Sequence, residues 1–346
     1  MFVRVLGSLP INSICPMLLE TLPVPTTIIC WSQRLLTGLA LGLVAMLNTQ
    51  AADLIVGDQS YSARTVMEAA GVLKDLPYEL EWKQFTAGSP VAEALNVGSL
   101  DIGLLGDSPA LFMGALGAPI KVIGVSRQNL DGVAIVVRKD SPIKTVADLA
   151  GKKVAIWKGS FSQQLMLTAL DKAGVARDAV DYRYLSALDS SHALDGGSVD
   201  AIATWEPYVT QQERQGARII ATADGLIPAQ SFIVANDQAI KDKREQISDF
   251  LQRLQAARAW SVSDPQHNEI YANAWAALTK ADAQVARRWF SRAQVVVVPI
   301  TPQVVAGAQQ TIDFFNHAGL TKRYPAASVF DESFNAALDS QAQIAR

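Results

Sequence analysis

The sequence contains little cysteine, little histidine and no run of basic residues, and each shortage excludes a class of function. Both cysteines, Cys15 and Cys30, lie near the start of the chain, so the fold is expected to contain neither a disulfide nor a reactive thiol. The three histidines are far apart and lack ligand-like spacing, so neither a metal site nor a cofactor is predicted. A formal net charge of -3 without a basic stretch argues against nucleic-acid binding.

The first 52 residues are expected to form a leader and a signal peptide. Arg34 precedes an apolar run over residues 35–47, which is shorter than the roughly 20 residues that a membrane-spanning helix needs. Small residues follow this run, and we expect signal peptidase to cleave after Ala51 or Ala52. The alternative is an uncleaved N-terminal anchor. The sequence therefore predicts an exported protein.

From Asp53 onward, short apolar strands alternate with helical stretches, which is typical of an α/β fold with a largely parallel sheet. An approximate internal repeat runs through this pattern: residues 94–107 resemble residues 193–206, each with a helix, a Gly-Ser turn and a strand that ends at a carboxylate. The same offset relates two further pairs of strands, 121–125 with 218–222 and 134–137 with 232–235. Three aligned blocks in one order favour two lobes of one plan over chance similarity.

The last pair, 134–137 and 232–235, is predicted to form two crossing strands, after which the chain changes lobe. Lobe 1 would then hold residues 53–137 and lobe 2 residues 138–235. Residues 236–346 are expected to be mostly helical and to pack on lobe 1.

Open α/β sheets bind ligands beyond the carboxyl ends of their strands, where helix N-termini present N–H groups. Short polar or small residues recur at these predicted turns, namely Gln59, Ser60, Ser89, Asp107, Ser108, Gly159 and Ser160, with Phe161 beside the last. Each serine alone is what a helix N-cap requires, but their recurrence favours an anion-binding cleft. Neutral donors suit a sulfonate, whose three oxygens stay unprotonated.

Two carboxylates and one tryptophan follow predicted strands. Asp107 and Glu206 could accept from a protonated oxyanion or bind an ammonium group such as that of taurine; alternatively, they cap the next turn or bridge the lobes. Trp205 is a candidate wall for an apolar ligand tail, with core packing as its alternative. Arg127, just beyond the strand 121–125, could pair bidentately with the anion, but a solvated surface position is favoured for it.

Several segments, in order and at matching spacing, carry a family resemblance: residues 85–90, 98–103, 106–109, 139–144, 146–155, 158–160, 205–208 and 299–302. Over about residues 53–325 the chain resembles the periplasmic aliphatic-sulfonate-binding proteins, with taurine- and nitrate-binding proteins as relatives. The resemblance implies a two-lobed periplasmic-binding-protein-like fold of type II, with two crossing strands as a hinge.

The same resemblance implies a periplasmic monomer that captures a small organic anion and delivers it to the permease and ATPase subunits of an ABC importer. By position it assigns ligand contacts to Gln59, Ser60, Ser89, Asp107, Ser108, Ser160, Trp205 and Glu206. The segment 126–134 and Phe161 depart from the usual sulfonate-binder pattern, so sulfate esters, taurine, nitrate or bicarbonate stay open as ligands.

An enzyme is the second class considered, because relatives of this fold include proteins linked to thiamine-precursor synthesis. The sequence argues against catalysis, since no predicted turn carries a cysteine, a histidine or a nucleophile beside a plausible base. A sensor subunit that presents the same ligand to a receptor is the third hypothesis.

Overall fold

The computed structural model describes residues 53–342. The predicted signal peptide, its cleavage position and both cysteines lie outside these residues. Over the described range, no helix is both long and apolar enough to cross a bilayer. The same range contains no group of His, Cys, Asp and Glu side chains arranged to hold a metal ion.

Short strands alternate with helices along most of the described chain. The strands are β1 (Leu54–Gln59), β2 (Leu80–Phe85), β3 (Ile102–Gly106), β4 (Ile120–Arg127), β5 (Val133–Val137), β6 (Lys153–Ile156), β7 (Asp181–Tyr184), β8 (Ala201–Trp205), β9 (Arg218–Thr222), β10 (Ser231–Asn236) and β11 (Val296–Val298). The helices are α1 (Ser62–Ala69), α2 (Gly88–Asn96), α3 (Asp107–Ala115), α4 (Phe161–Lys172), α5 (Ala187–Asp195), α6 (Tyr208–Arg214), α7 (Asp237–Asp242), α8 (Arg244–Ser263), α9 (Pro265–Thr279), α10 (Ala283–Ala293), α11 (Pro302–His317) and α12 (Asn335–Ala342).

The strands form two sheets built on the same plan. The first has the order β11-β4-β10-β3-β1-β2 and the second the order β7-β6-β8-β5-β9. In the first sheet β1 pairs in parallel with β2 and β3, and β10 runs antiparallel between β3 and β4. In the second, β6 pairs in parallel with β7 and β8, and β5 runs antiparallel between β8 and β9. Apart from the edge strand β11, the two sheets match strand for strand.

The internal repeat of the sequence is visible as the same hydrogen bonds in both sheets. The Asp101 Oδ2 atom accepts the backbone N–H of Ile55 at 2.7 Å, at the entrance to β3. The Asp200 Oδ2 atom accepts the backbone N–H of Lys153 at 2.9 Å, at the entrance to β8. Each carboxylate ties the start of its strand to the parallel neighbour, so the similarity of the two segments reflects similar architecture.

The strands β5 and β10 belong to the opposite sheets from those that the predicted lobe limits gave them. Val133–Val137 pairs with β8 and β9 of the second sheet, and Ser231–Asn236 pairs with β3 and β4 of the first. The chain therefore changes lobe before each of these strands, in the segments 128–132 and 223–230. Both strands are almost wholly apolar and buried, so their sequence suits either sheet equally.

The C-terminal helices pack against the first sheet. One buried cluster joins Leu54 and Val56 of β1 with Phe250 and Leu254 of α8 and Trp275 of α9. On the other face of this sheet, residues of α2 and α3 cluster with residues of α11. The first lobe thus combines the first sheet and α1 to α3 with the described helices after residue 236, and β11 adds a strand that the sequence analysis did not predict.

Candidate functional site

A cavity of about 170 Å³ lies between the two lobes, where the carboxyl ends of β1, β3 and β8 meet. This is the place at which open α/β sheets present helix N-termini to ligands. Its walls include Asp58, Gln59, Ser60, Ser62, Thr86, Ala87, Gly88, Ser89, Gly106, Trp157, Ser160, Phe161, Trp205, Glu206, Arg258 and Trp289. Both lobes therefore contribute to one site in the cleft between them.

The structure brings most of the sequence-predicted residues to this cavity, namely Gln59, Ser60, Ser89, Ser160, Phe161, Trp205 and Glu206. It places Asp107, Ser108 and Gly159 outside the lining. Arg127 is exposed and does not line the cavity, as expected for a surface arginine.

Asp107 and Ser108 are fully buried and satisfy each other's polar groups. The Ser108 hydroxyl donates to Asp107 Oδ1 at 3.0 Å, and the Thr311 hydroxyl donates to Asp107 Oδ2 at 3.3 Å. Burial raises the pKa of Asp107 to about 6. Neither residue reaches the cavity, because both turn inward at the start of α3 to pack against α11.

Gly159 shapes the turn before α4. Its φ of 70° lies in the left-handed region, and its N–H donates to Gln163 Oε1 at 2.7 Å. The turn places Ser160 at the N-cap of α4, where the Ser160 hydroxyl accepts the N–H of Ser162 at 3.2 Å and donates to the carbonyl of Trp157 at 2.7 Å. The capping role considered for Ser160 is therefore present.

Ser89 is not the N-cap of α2, although the sequence pattern predicted that position for it. The N-cap is Ala87, whose side chain offers no acceptor. Because the first N–H groups of a helix have no intrahelical acceptor, this uncapped end leaves donors at Gly88 and Ser89 beside the cavity. The first turn of α2 is thus the part of the wall best suited to an anion.

A strained turn carries Gln59 and Ser60 into the site. Ser60 and Tyr61 have φ values of 54° and 57°, which side chains with a Cβ rarely adopt. The indole N–H of Trp275 donates to the Ser60 carbonyl at 2.6 Å, and the N–H of Tyr61 donates to Gln84 Oε1 at 3.0 Å. These contacts hold the turn open toward the cavity, and strain of this kind is common at binding sites.

Arg258 of α8 is a cation of the site that the sequence analysis missed. It is 5% exposed, and its guanidinium donates to the Tyr271 hydroxyl at 3.1 Å and to the Ser62 hydroxyl at 2.8 Å. Its buried Nε has no hydrogen-bond partner among the described residues. One signal was available: Leu251, Leu254 and Arg258 follow helical spacing, so the arginine stands in the apolar stripe of α8.

Asp58, at the end of β1, is a buried carboxylate of the cavity wall. Its Oδ2 accepts the N–H groups of Ala63 and Arg64, both at 3.0 Å, and so caps α1. Burial raises the pKa of Asp58, while these donors and the charge of Arg258 oppose the rise. The Asp58 carboxylate is therefore already engaged by the protein.

Glu206 also lines the cavity, and its carboxylate is engaged as well. Its Oε2 accepts the N–H of Thr210 at 3.0 Å, and its Oε1 accepts the Thr210 hydroxyl at 2.9 Å. Arg292 of α10 lies 3.0 Å away and forms an ion pair between the lobes. Burial raises the pKa of Glu206, and the Arg292 charge and the Thr210 donors lower it in part. Glu206 thus has the capping and bridging role.

Two tryptophans form the apolar part of the wall. Trp157 and Trp205 stand at the ends of neighbouring strands, with ring centroids 6.4 Å apart. Trp205 is half-buried and lines the cavity, as a wall for an apolar tail requires, and Trp157 joins it although the sequence analysis did not select it. Across the cleft, a Cβ built on Gly106 would lie 2.9 Å from Phe161 Cζ, so the lobes touch at this point.

Comparisons with known proteins identify relatives of this chain. The family model described as NMT1/THI5 like matches residues 75–268. An aliphatic sulfonates-binding protein of Escherichia coli (strain K12) is 34% identical over 266 residues, which cover 75% of this chain and 82% of that protein.

Two crystal structures share the fold. The periplasmic aliphatic sulphonate binding protein SsuA from Escherichia coli superposes with a TM-score of 0.73 at 31% identity, over 80% of this chain and 91% of that one. The alkanesulfonate-binding protein SsuA from Xanthomonas axonopodis pv. citri, bound to MOPS, superposes with a TM-score of 0.74 at 29% identity, over 80% and 97%. These matches confirm the resemblance and the α/β fold class predicted from the sequence. The chain belongs to the NMT1/THI5-like family.

Proposed function

We propose that this protein is the periplasmic solute-binding component of an ABC importer and that it captures aliphatic sulfonates or related organosulfur anions in the cavity between its lobes. The observation that carries the proposal is the polarity of the cavity: uncapped N–H donors at the start of α2 and the buried Arg258 at one side, and paired indole rings at the other.

The polar side suits a sulfonate because it offers donors and few free acceptors. A sulfonate presents three acceptor oxygens and carries no proton, so N–H and hydroxyl donors with one cation satisfy it. Hydrogen phosphate would also need an acceptor for its proton. The two carboxylates of the wall, Asp58 and Glu206, are both already engaged by protein donors.

The apolar side suits a small hydrocarbon or aromatic tail. Trp157 and Trp205 bury large flat surfaces at low entropic cost, and Phe161 lies beside them. The cavity volume of about 170 Å³ favours a compact ligand in this conformation. A head group at α2 and a tail at the second lobe would make one molecule bridge both lobes.

Such bridging explains capture as closure of a hinge. The two crossing segments, 128–132 and 223–230, are the connections between the sheets through which the lobes rotate. A ligand that contacts both lobes gains contacts only in the closed state and therefore shifts the population toward it. The closed monomer would then deliver the solute to the permease and ATPase subunits.

The lining supports binding over catalysis. None of the residues that line the cavity is a cysteine or a histidine, so its serines have no imidazole base. Its carboxylates already cap helices, which leaves no acid–base pair facing a ligand. Presentation of the ligand to a sensor would use the same cleft and is the second candidate function.

Thermal-shift measurements on the purified protein test the proposal, because ligands that bind the native state raise its melting temperature. The panel comprises alkanesulfonates, taurine, aryl sulfonates, sulfate esters, sulfate, nitrate and bicarbonate. We expect a concentration-dependent rise with organosulfur anions. A rise with nitrate or bicarbonate alone, or with no member of the panel, would refute the assigned ligand class.

A further inference from the structure

The charges on the cavity wall do not balance. Two carboxylates, Asp58 and Glu206, line the cavity together with a single guanidinium, that of Arg258. Taken alone, these walls carry one negative charge in excess. An excess negative charge in a buried site would oppose the entry of an anion, since charges interact strongly where water is excluded.

A second arginine, outside the cavity lining, supplies the missing charge. Arg292 Nη1 lies 3.0 Å from Glu206 Oε1, and their side chains are only 14% and 5% exposed. Its other terminal nitrogen, Nη2, contacts Glu213 of α6. Arg292 stands on α10, which packs with the first lobe, whereas Glu206 belongs to the second. Because Arg288 of α10 also pairs with Glu213, at 3.1 Å, two arginines and two carboxylates balance each other where the lobes meet.

We infer that Arg292 is a specificity-determining positioning residue. From outside the cavity lining it neutralises the charge of Glu206, and the cavity therefore selects sulfonates with an uncharged tail over sulfonates with an ammonium group. The inference rests on the proposed function. It follows because both carboxylates of the wall are engaged by the protein: Asp58 accepts two N–H groups of α1, and Glu206 forms an ion pair with Arg292 and accepts two hydrogen bonds from Thr210.

The inference predicts a change of preference when Arg292 loses its charge. In Arg292→Gln, the buried Glu206 carboxylate would be unpaired, so it would repel a sulfonate and attract an ammonium. Taurine and 1-propanesulfonate form the matching pair of probes, because they differ by an ammonium in place of a methyl group. We expect 1-propanesulfonate to bind about tenfold more weakly and the preference to shift toward taurine by about tenfold or more, in line with measured couplings of close charge pairs.

A pH profile separates this role from a structural one. The charged groups that act on Glu206 are Arg292 of α10 and Glu213 of α6, the helix that follows Glu206, and the uncharged Gly132 packs against its side chain. Burial already raises the pKa of Glu206, and loss of Arg292 would raise it further. Protonation at lower pH would then remove the repulsion, so Arg292→Gln should regain affinity for 1-propanesulfonate as the pH falls.

Arg288→Gln is the matched control. Arg288 is on the same helix and pairs with Glu213 at 3.1 Å, but its side chain is 55% exposed and does not pair with Glu206. We expect its ligand preference to equal that of the wild type. Arg292→Lys keeps the charge and should keep the preference, and Glu206→Gln combined with Arg292→Gln should restore binding of 1-propanesulfonate. Melting curves would verify that each variant is folded.

Isothermal titration calorimetry of the full protein with taurine and 1-propanesulfonate measures this preference in each variant. An unchanged preference in Arg292→Gln overturns the inference, as does an equal loss for both ligands that Glu206→Gln does not reverse. If the wild type binds neither probe, the proposed function fails together with the inference. That outcome is distinguishable because it appears without any substitution.

Discussion

Replacement of Arg258 by methionine tests whether this buried guanidinium is the cation of the binding site. Methionine keeps much of the length and the apolar stem and removes the charge and the donors to Tyr271 and Ser62. Tyr271 and Ser62 keep each other as partners, with their hydroxyl oxygens 3.1 Å apart. The main consequence is that Asp58 loses the nearby positive charge that opposes its protonation.

The size of the effect follows from burial. Arg258 is 5% exposed and Asp58 is 2% exposed, so the Asp58 carboxylate would keep its two N–H donors but would lose the buried cation near it. Loss of the hydrogen bonds that this charged donor makes to Tyr271 and Ser62 should cost about 1.5–3 kcal/mol of stability. The same loss of a cation facing the ligand should weaken sulfonate binding by about 2–5 kcal/mol, which corresponds to at least about thirtyfold.

The pH dependence has a definite sign. Burial raises the folded-state pKa of Asp58 above its unfolded value, so the folded state binds this proton more tightly. The associated stability is fully present below the unfolded pKa and is lost as the pH rises through the folded pKa. Without Arg258 the folded pKa rises further, so Arg258→Met should be destabilised most at neutral pH and should recover stability as the solution is acidified.

Urea unfolding at several pH values, together with sulfonate titrations, checks these expectations. Arg253→Met, on the same helix, is the control for ligand binding, because Arg253 does not line the cavity. It pairs with Asp249 and donates to the Val72 carbonyl at 2.6 Å, so its replacement should cost about 1–3 kcal/mol of stability without affecting the ligand. The reasoning is refuted if Arg258→Met binds sulfonates as tightly as the wild type, or if its destabilisation grows on acidification.

Four further substitutions probe the site and its surroundings. Ser89→Ala removes a hydroxyl that caps no helix, so sulfonate affinity should fall by about 1 kcal/mol at constant stability. Ser160→Ala removes the N-cap of α4 and should lower the free energy of unfolding by about 1 kcal/mol. Ligand titration and urea unfolding of both variants would separate the two effects. Asp107→Asn should remove the decrease in stability that the wild type shows as the pH rises from about 4 to about 6, because burial raises the folded pKa of Asp107 to about 6; a pH series of melting temperatures that is the same for both proteins would contradict this. Gly106→Ala places a Cβ 2.9 Å from Phe161 Cζ, and this clash should oppose closure of the lobes by about 1–3 kcal/mol. Ligand binding, measured by tryptophan fluorescence, should therefore weaken. Adding Phe161→Leu should relieve the clash and restore binding.

Local patterns in the sequence were sufficient for the fold class and for much of the cavity. Gln59 and Trp205 are the last residues of their strands, and Ser60 and Ser160 lie in the turns after strands. The carboxyl ends of parallel strands meet at one edge of a sheet whatever the rest of the chain does. The repeat of residues 94–107 at 193–206 likewise determined that two lobes share one plan. These features depend on residues close together in the chain, and so they can be predicted from the sequence.

The tertiary structure decided what depends on distant parts of the chain. Arg258 reaches the cavity from α8, and Arg292 reaches Glu206 from α10. The sequence around each arginine does not indicate which strand its helix will pack against. The sheet membership of β5 and β10 was also settled there, because an apolar strand that is buried on both faces can pair in either sheet. Asp107 and Ser108 turned inward for the same reason: burial against α11 depends on packing between segments that are far apart in the sequence.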